Sequence, residues 1–533
     1  MAAVESGRFL QVAYESSTPP YFRGIQLWPS LAGSKYVANG SFARTNYAHG
    51  KQIRWRVSCS STHQESAPGN GRHRAQSFKS AESERAASSS GKIEKFFATC
   101  APGLEEIVAA ELCSSAIGAG SVQIGSAGVS FCGTKRTGIL ANLWLRSGIR
   151  VLIELASAPL TGRRRADPVY EFVRSAADWP TLLVDNDFGT TPSRVLKFRT
   201  FSVNSRVYDC EGISNSLFAS VRAKDAICDA LKDACGGRRP DPPKDGVASA
   251  DMPLFLSLYR NRGVLYRDMT GVSLHKRGYR DIKHRAGLNE AIAAGLLTVA
   301  GWNTHIPGFG LANRNAGGSS KVLLDPMCGS GTFLIEAALM ALNSAPGLMR
   351  TQWPFETWHD FDPSVLKACR EEAIAAEVIP PKHLKLVGND IHEGALSLCE
   401  KDARAANVLH MLDLSCKDCK EFVPRLKPSL VVVNPPWGAR LEGKRGSDYE
   451  SLLTTWRNLG KFLKSRCSDA DVYVLSGNPG VTQALHMKAD KKWAFTVGGV
   501  DCRVMHYHVL PPKAMTNTLE DTAHNITTAE ASV

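Results

Sequence analysis

Aspartate is missing from the first 90 residues, and between Glu15 and Glu65 there is no acidic residue at all. The same stretch carries eleven Lys/Arg against five Glu (11 − 5 = +6), about half of the chain's net charge of +13. Ser-rich, acid-poor sequence of this kind has the composition of an organelle transit peptide. "RVSCSS" (56–61) and the opening "MAAVES" have a plastid character, so a leader over 1–90 and a chloroplast destination are expected, with the mitochondrion as the alternative. A basic balance of which about half sits in a leader is modest support for nucleic acid as partner.

Long hydrophobic runs are lacking too. Even "AIAAGLLTVAGW" is short and follows Asn289 and Glu290, so no membrane span is expected. The fourteen cysteines, Cys100, Cys228 and Cys399 among them, are scattered without the dense spacing of a disulfide framework, which fits a reducing compartment. The CxxC formed by Cys416 and Cys419 has no second ligand pair nearby, and no metal site is expected.

Order begins after the leader. "FFATC" reads as a strand, Pro102-Gly103 as a turn, and Leu104, Ile107, Val108 and Leu112 recur at helical spacing. A hairpin ("VQIGSAGVSFCG"), a helix around "ILANLWLRSG" and a strand ("RVLIELASA") follow, then a helix in "VYEFVRSAADW" and a strand in "VLKFRTFSV". Short strands mixed with helices over 91–270 predict an α+β module. Residues 271–287 form a basic connector, and Arg163 to Arg165 a second basic run that reads as a loop. From 288 to 512 strands alternate with helices, which predicts an α/β fold with a parallel sheet and ligand chemistry at the carboxyl ends of its strands. The polar tail, 513–533, is expected to be loose.

Within that second region "LLDPMCGSGTF" (323–333) sets an acid at a strand end and two glycines before a helix. Gly329 and Gly331 let backbone approach a ligand. No GK[ST] follows, which excludes a P-loop, and Leu334 stands where a dinucleotide fingerprint needs its third small residue. Asp390 in "VGNDI" ends the next strand, where a carboxylate can accept both hydroxyls of a ribose, and Asp413 and Asn434 follow at intervals of 23 and 21 residues. Asp325, Asp390, Asp413 and Asn434 are therefore expected at successive strand ends around one crevice. The last of these ends is "LVVVNPPW": a buried strand running into Asn434, Pro435, Pro436 and Trp437. Two residues without N–H and with fixed φ cannot continue a ladder, and must form a stiff turn that holds an amide and an indole in place.

The ordered set "DPMCGSGT", "GNDI", Asp413 and "NPPWG" resembles a class I S-adenosylmethionine-dependent methyltransferase acting on an exocyclic or amide nitrogen. "SLHKRGYR" (273–280), "LLDPMCGSGTFLIEAALMA" and "NPPWGARL" resemble more narrowly the THUMP-domain RNA methyltransferases, near the bacterial large-subunit rRNA guanine-N2 enzymes, over about 93–512. The resemblance implies a Rossmann-like catalytic domain behind a ferredoxin-like plus THUMP RNA-binding module, with S-adenosyl-L-methionine as cofactor. It implies Asp325, Met327, Gly329 and Gly331 at the methionine part, Asp390 at the ribose, Asp413 at the adenine amine, and Asn434, Pro435, Pro436 and Trp437 at the target base. His275, Lys276, Arg277, Tyr279 and Arg280 combine charge with an aromatic face and are expected to touch RNA, taken as large-subunit rRNA or a pre-ribosomal particle. A solvated interdomain linker is the other reading of those five.

Three departures stand out. The 65 residues from Asp325 to Asp390 exceed a simple βαβ unit, with "APGLMRTQW" resembling a family insertion; Trp437 replaces the commoner Tyr or Phe; and a second fused methyltransferase domain, carried by some bacterial relatives, is not expected. Transfer RNA guanine, adenine N6 or protein glutamine as acceptor, and a non-catalytic ribosome-assembly factor, remain alternatives.

Overall fold

The computed structural model describes residues 91–160, 167–185, 197–244, 249–280, 287–302, 322–380, 382–438 and 447–511. The leader, Arg163 to Arg165 and the tail lie outside the described residues.

The N-terminal module is one seven-stranded sheet. Its first half runs β1 (Glu94–Cys100), the helix Glu105–Leu112, β2 (Gly120–Gly125), β3 (Gly128–Gly133), the helix Lys135–Trp144 and β4 (Gly148–Pro159), a split βαβ pattern of ferredoxin-like type. A small ribbon of β5 (Val184–Asp185) and β6 (Lys197–Phe198) precedes β7 (Phe201–Tyr208), the helix Ser216–Ala234, β8 (Met252–Tyr259) and β9 (Arg262–Asp268). The order is β2-β3-β1-β4-β9-β8-β7, so the two halves of the module join edge to edge through the antiparallel pair β4–β9. The helix Ser216–Ala234, not foreseen from the sequence, is the crossover that allows β7 and β8 to run parallel.

The second sheet contains β10 (Val322–Asp325), β11 (Lys385–Asp390), β12 (Leu412–Cys416), β13 (Leu430–Val433), β14 (Asp471–Ser476), β15 (Lys491–Val497) and β16 (Val500–His508), in the order β12-β11-β10-β13-β14-β16-β15. The first five are parallel, and the terminal hairpin adds β16 antiparallel to β14. Alternate residues of the central strands enter different cores. Leu323, Leu386, Leu430 and Val432 face one, whereas Val322, Leu324, Val431 and Val433 face the other with Trp456 and Phe462. Helices therefore cover both faces, which explains why these strands read as continuous apolar runs. Strand order reverses between β10 and β13, and the carboxyl ends there open the crevice of a wound sheet.

The long segment between Asp325 and Asp390 docks the two modules. Trp353, Phe355, Trp358 and Phe361 cluster within it, and Asp360 accepts two bonds from Arg267 of β9, at 2.9 and 3.0 Å, and one from Lys135 at 2.6 Å. The Arg267 guanidinium lies 3.6 Å from the Trp358 ring centre. A planar, weakly hydrated cation can use its edge for the carboxylate and its face for the indole.

Over its described residues, 271–280, the connector is not a solvated linker. Arg277 is buried against Glu336 of the helix Thr332–Ala341, with Nη2 to Oε2 at 3.2 Å, and also donates to the carbonyls of Leu274 and Arg146. The buried Tyr279 hydroxyl donates to Glu336 at 3.2 Å. Arg280 pairs with Glu290 and Asp402. Hence Arg277, Tyr279 and Arg280 are not the RNA contacts expected from the sequence: their polar groups are consumed inside the protein. His275 is half-buried, and of the five only Lys276 is exposed.

Candidate active site

Asp325 is the last residue of β10 and is buried, its Oδ1 accepting from Met327 N at 3.2 Å. Burial pushes its carboxyl well above the ordinary carboxylate range, and the neighbouring Asp390 charge raises it further. A carboxyl raised in the folded state contributes stability below its unfolded value of about 3.9 and loses it as pH rises through the folded one. Asp325→Asn is therefore expected to melt later than the unaltered ligand-free chain, by a margin that grows from pH 5 to pH 8. Thermal scans across that range check it, and a margin independent of pH would refute the assignment of the shift to this carboxyl.

The two glycines divide the work. Both are left-handed, with φ of +54° at Gly329 and +74° at Gly331. A Cβ on Gly329 would meet nothing among the described residues within 4 Å, whereas one on Gly331 would collide with the sulfur of Cys399. Gly329 thus faces open space where a ligand can approach, and Gly331 is small so that the helix Glu393–Ala405 can pack close. Met327, half-buried, flanks the loop.

Asp390 ends β11. Its Oδ2 accepts from Gly329 N at 2.8 Å and its Oδ1 from His392 N at 2.9 Å, leaving lone pairs on both oxygens for further donors. Asp413 does not join it. It is the second residue of β12, is exposed and pairs with Val387, whereas Asp390 pairs with Cys416. Three residues of strand place Asp413 about 10 Å short of the carboxyl end. The acid beyond that end is Asp418, half-buried, in the turn where Lys417 N donates to the Asp390 carbonyl at 3.1 Å. Asn389, fully buried, donates to the carbonyls of Pro326 (3.1 Å) and Lys417 (2.9 Å) and so ties the loops after β10 and β12 together. Neither Asp418 nor Asn389 was singled out from the sequence, although "GND" and "CKD" stand beside the residues that were.

Asn434 follows β13 directly, across the strand-order reversal from Asp325. Among the described residues its Oδ1 is buried without a hydrogen-bond partner. Pro435 is buried, and the carbonyl of exposed Pro436 accepts from Trp456 Nε1 at 2.8 Å, which fixes the turn from below. Trp437 is half-buried, its Nε1 donating to the Leu475 carbonyl at 3.1 Å. A Cβ on Gly477 would lie 2.8 Å from its ring, so the glycine makes room for the indole. Asn478 Nδ2 holds the Trp437 carbonyl at 3.1 Å, a support the sequence reading missed. Asp325, Gly329, Asp390 and Asn434 thus share one crevice, and the model for the methyltransferase domain described as RMKL-like matches residues 277–506.

Residues 277–506 are an RMKL-like methyltransferase domain. Ahead of it, residues 95–152 match the RlmL ferredoxin-like domain, which runs from β1 into the first part of β4. The ribosomal RNA large subunit methyltransferase K/L of Saccharophagus degradans is 33% identical over 420 residues, 78% of this chain and 51% of that protein. The chain spans about half the length of the curated relatives it matches. A possible methylase from Clostridium difficile superposes with a TM-score of 0.63 at 24% identity, over 79% of this chain and 99% of that one. SMU.472, solved with SAH, gives 0.62 at 24% identity, over 79% and 100%. These two likenesses show the fold of the module and the RMKL-like domain together.

Proposed function

We propose that the protein transfers a methyl group from S-adenosyl-L-methionine to the exocyclic N2 of a guanine in large-subunit ribosomal RNA. The observation that carries this reading is the buried, unpartnered amide oxygen of Asn434 at the strand-order reversal. Leaving a buried acceptor open costs about 1–3 kcal/mol, and an N–H donor brought by a substrate removes that penalty. The relatives named as large-subunit rRNA methyltransferases and the RlmL ferredoxin-like match support RNA as the acceptor class.

The crevice fits the cofactor. Open space at Gly329, beside the Asp390 carboxylate and the buried Asp325 carboxyl, suits a ligand with a cationic centre and ribose hydroxyls. Asp325, Met327 and Gly329 would hold its methionine part, Asp390 the ribose, and Asp418, in place of Asp413, the adenine amine. When bound, S-adenosylmethionine supplies a methyl group already activated on a sulfonium.

The chain's task is then to prepare the amine. The lone pair of an exocyclic guanine nitrogen is delocalised into the ring. Asn434 Oδ1 and the Pro435 carbonyl accept its two N–H bonds and localise the pair toward the methyl group. The prolines hold both acceptors still, so that reacting atoms come within about 3–3.5 Å in line. Trp437 offers the base a stacking surface, a contact of about 1–3 kcal/mol.

The full chain should be incubated with radiolabelled S-adenosylmethionine and separate pools of unmodified organellar rRNA and tRNA. Label recovered as N2-methylguanosine in the large rRNA is the expected result. Label in tRNA would replace the substrate, and cofactor binding without label in RNA or pre-ribosomal particles would point to an assembly factor. The acid-poor composition of residues 1–90 supports chloroplast import. A fluorescent fusion to that segment should enter chloroplasts, and mitochondrial accumulation would overturn the destination.

A further inference from the structure

Arg280 lies in the connector, outside the crevice, with its side chain 13% exposed. Every one of its five N–H groups is directed at an acceptor. Nε donates to Asp402 Oδ2 at 3.1 Å, and Nη1 to the Leu288 carbonyl at 3.3 Å and Glu290 Oε1 at 3.0 Å. Nη2 donates to Ser330 Oγ at 3.2 Å and to Thr332 Oγ1. A guanidinium has five donors in a rigid plane, so none is left for an outside ligand.

Those acceptors divide by place. Glu290 and Leu288 stand at the entry to the helix Glu290–Val299, and Asp402 on the helix Glu393–Ala405; together they hold two sides of the fork. The third side reaches the glycine loop, where Ser330 separates Gly329 from Gly331 and Thr332 opens the next helix. Both glycines are left-handed, and glycine is the residue freest to leave that conformation. Asp390 binds Gly329 N from the crevice side at 2.8 Å, and Arg280 holds Ser330 and Thr332 from the connector side. We propose that Arg280 is a positioning residue that clamps the Gly329–Gly331 loop in its cofactor-binding shape. Holding the loop beforehand lowers the ordering cost of binding, so the clamp acts on cofactor affinity and not on methyl transfer. This inference rests on the reading of the crevice as an S-adenosylmethionine site.

Two variants test it in the full chain. Arg280→Lys keeps a positive charge between Glu290 and Asp402 but cannot fork to the loop; Thr332→Val removes a loop-side acceptor and leaves both ion pairs. Amide hydrogen exchange of peptides covering 327–333, without ligand, and calorimetric titration with S-adenosylhomocysteine are the readouts. Both variants should exchange faster and bind S-adenosylhomocysteine about tenfold or more weaker, with KM for the cofactor raised alike and kcat at saturation within about twofold. Unchanged exchange, or faster exchange with unchanged affinity, would overturn the clamp and leave Arg280 a structural ion pair, whatever the melting temperatures. Should the unaltered chain bind no S-adenosylhomocysteine, the reading of the crevice falls, and the loop restraint is then decided by the exchange data alone.

Discussion

Asn434→Ala is expected to lower kcat by roughly 10²–10³ or more while leaving S-adenosylhomocysteine affinity nearly unchanged, because it removes a fixed dipole aimed at the charge that develops on the attacking nitrogen. The side chain belongs to the turn after β13, opposite the loop after β10, so its loss does not touch Gly329 or Asp390. Folding should not suffer either: among the described residues the amide oxygen has no partner to lose. Single-turnover methylation and calorimetry on one preparation separate the two effects. A variant with normal turnover would remove Asn434 from the chemistry, and one that neither binds cofactor nor turns over would make it a structural residue.

Arg277→Met should be the most destabilising of the substitutions considered. Both Arg277 and Glu336 are essentially without solvent exposure, at 1% and 0% for their side chains. Removing one partner of such a pair strands a buried charge, at about 3–5 kcal/mol. The loss also frees the Arg146 carbonyl in the N-terminal module, so both halves of the described chain lose a tie. Urea unfolding of the full chain measures it, and adding Glu336→Gln should recover part of the loss, as coupled neighbours do. An Arg277→Met chain of unchanged stability but weakened RNA binding would restore the connector as an RNA contact.

The misassignments have physical causes. "LHKRGYR" has the residue types of an RNA-binding stripe and of a buried ion-pair hub alike; what separates them is Glu336, 59 residues away in sequence at the centre of an apolar helix. Asp413 falls 23 residues after Asp390, the interval of a strand–helix unit. Spacing does not say where a strand stops, and pairing with β11 carries β12 on to Cys416. Gly331 looked like Gly329 in the motif, but one collides with Cys399 on gaining a side chain and the other meets open space.

By itself, the sequence determined the two-part organisation, the wound parallel sheet, the glycine loop, the acids closing β10 and β11, and the Asn-Pro-Pro-Trp turn. These are local signals: apolar runs, glycine before a helix, and prolines that end a ladder where they stand. Only the tertiary structure decided that the N-terminal halves share one sheet through β4 and β9, that Asp413 stands short of the carboxyl end of β12 with Asp418 beyond it, and that Arg277 and Arg280 face inward. Strand register and the partner of a buried charge depend on residues far apart in the chain, and are set by packing once those residues meet.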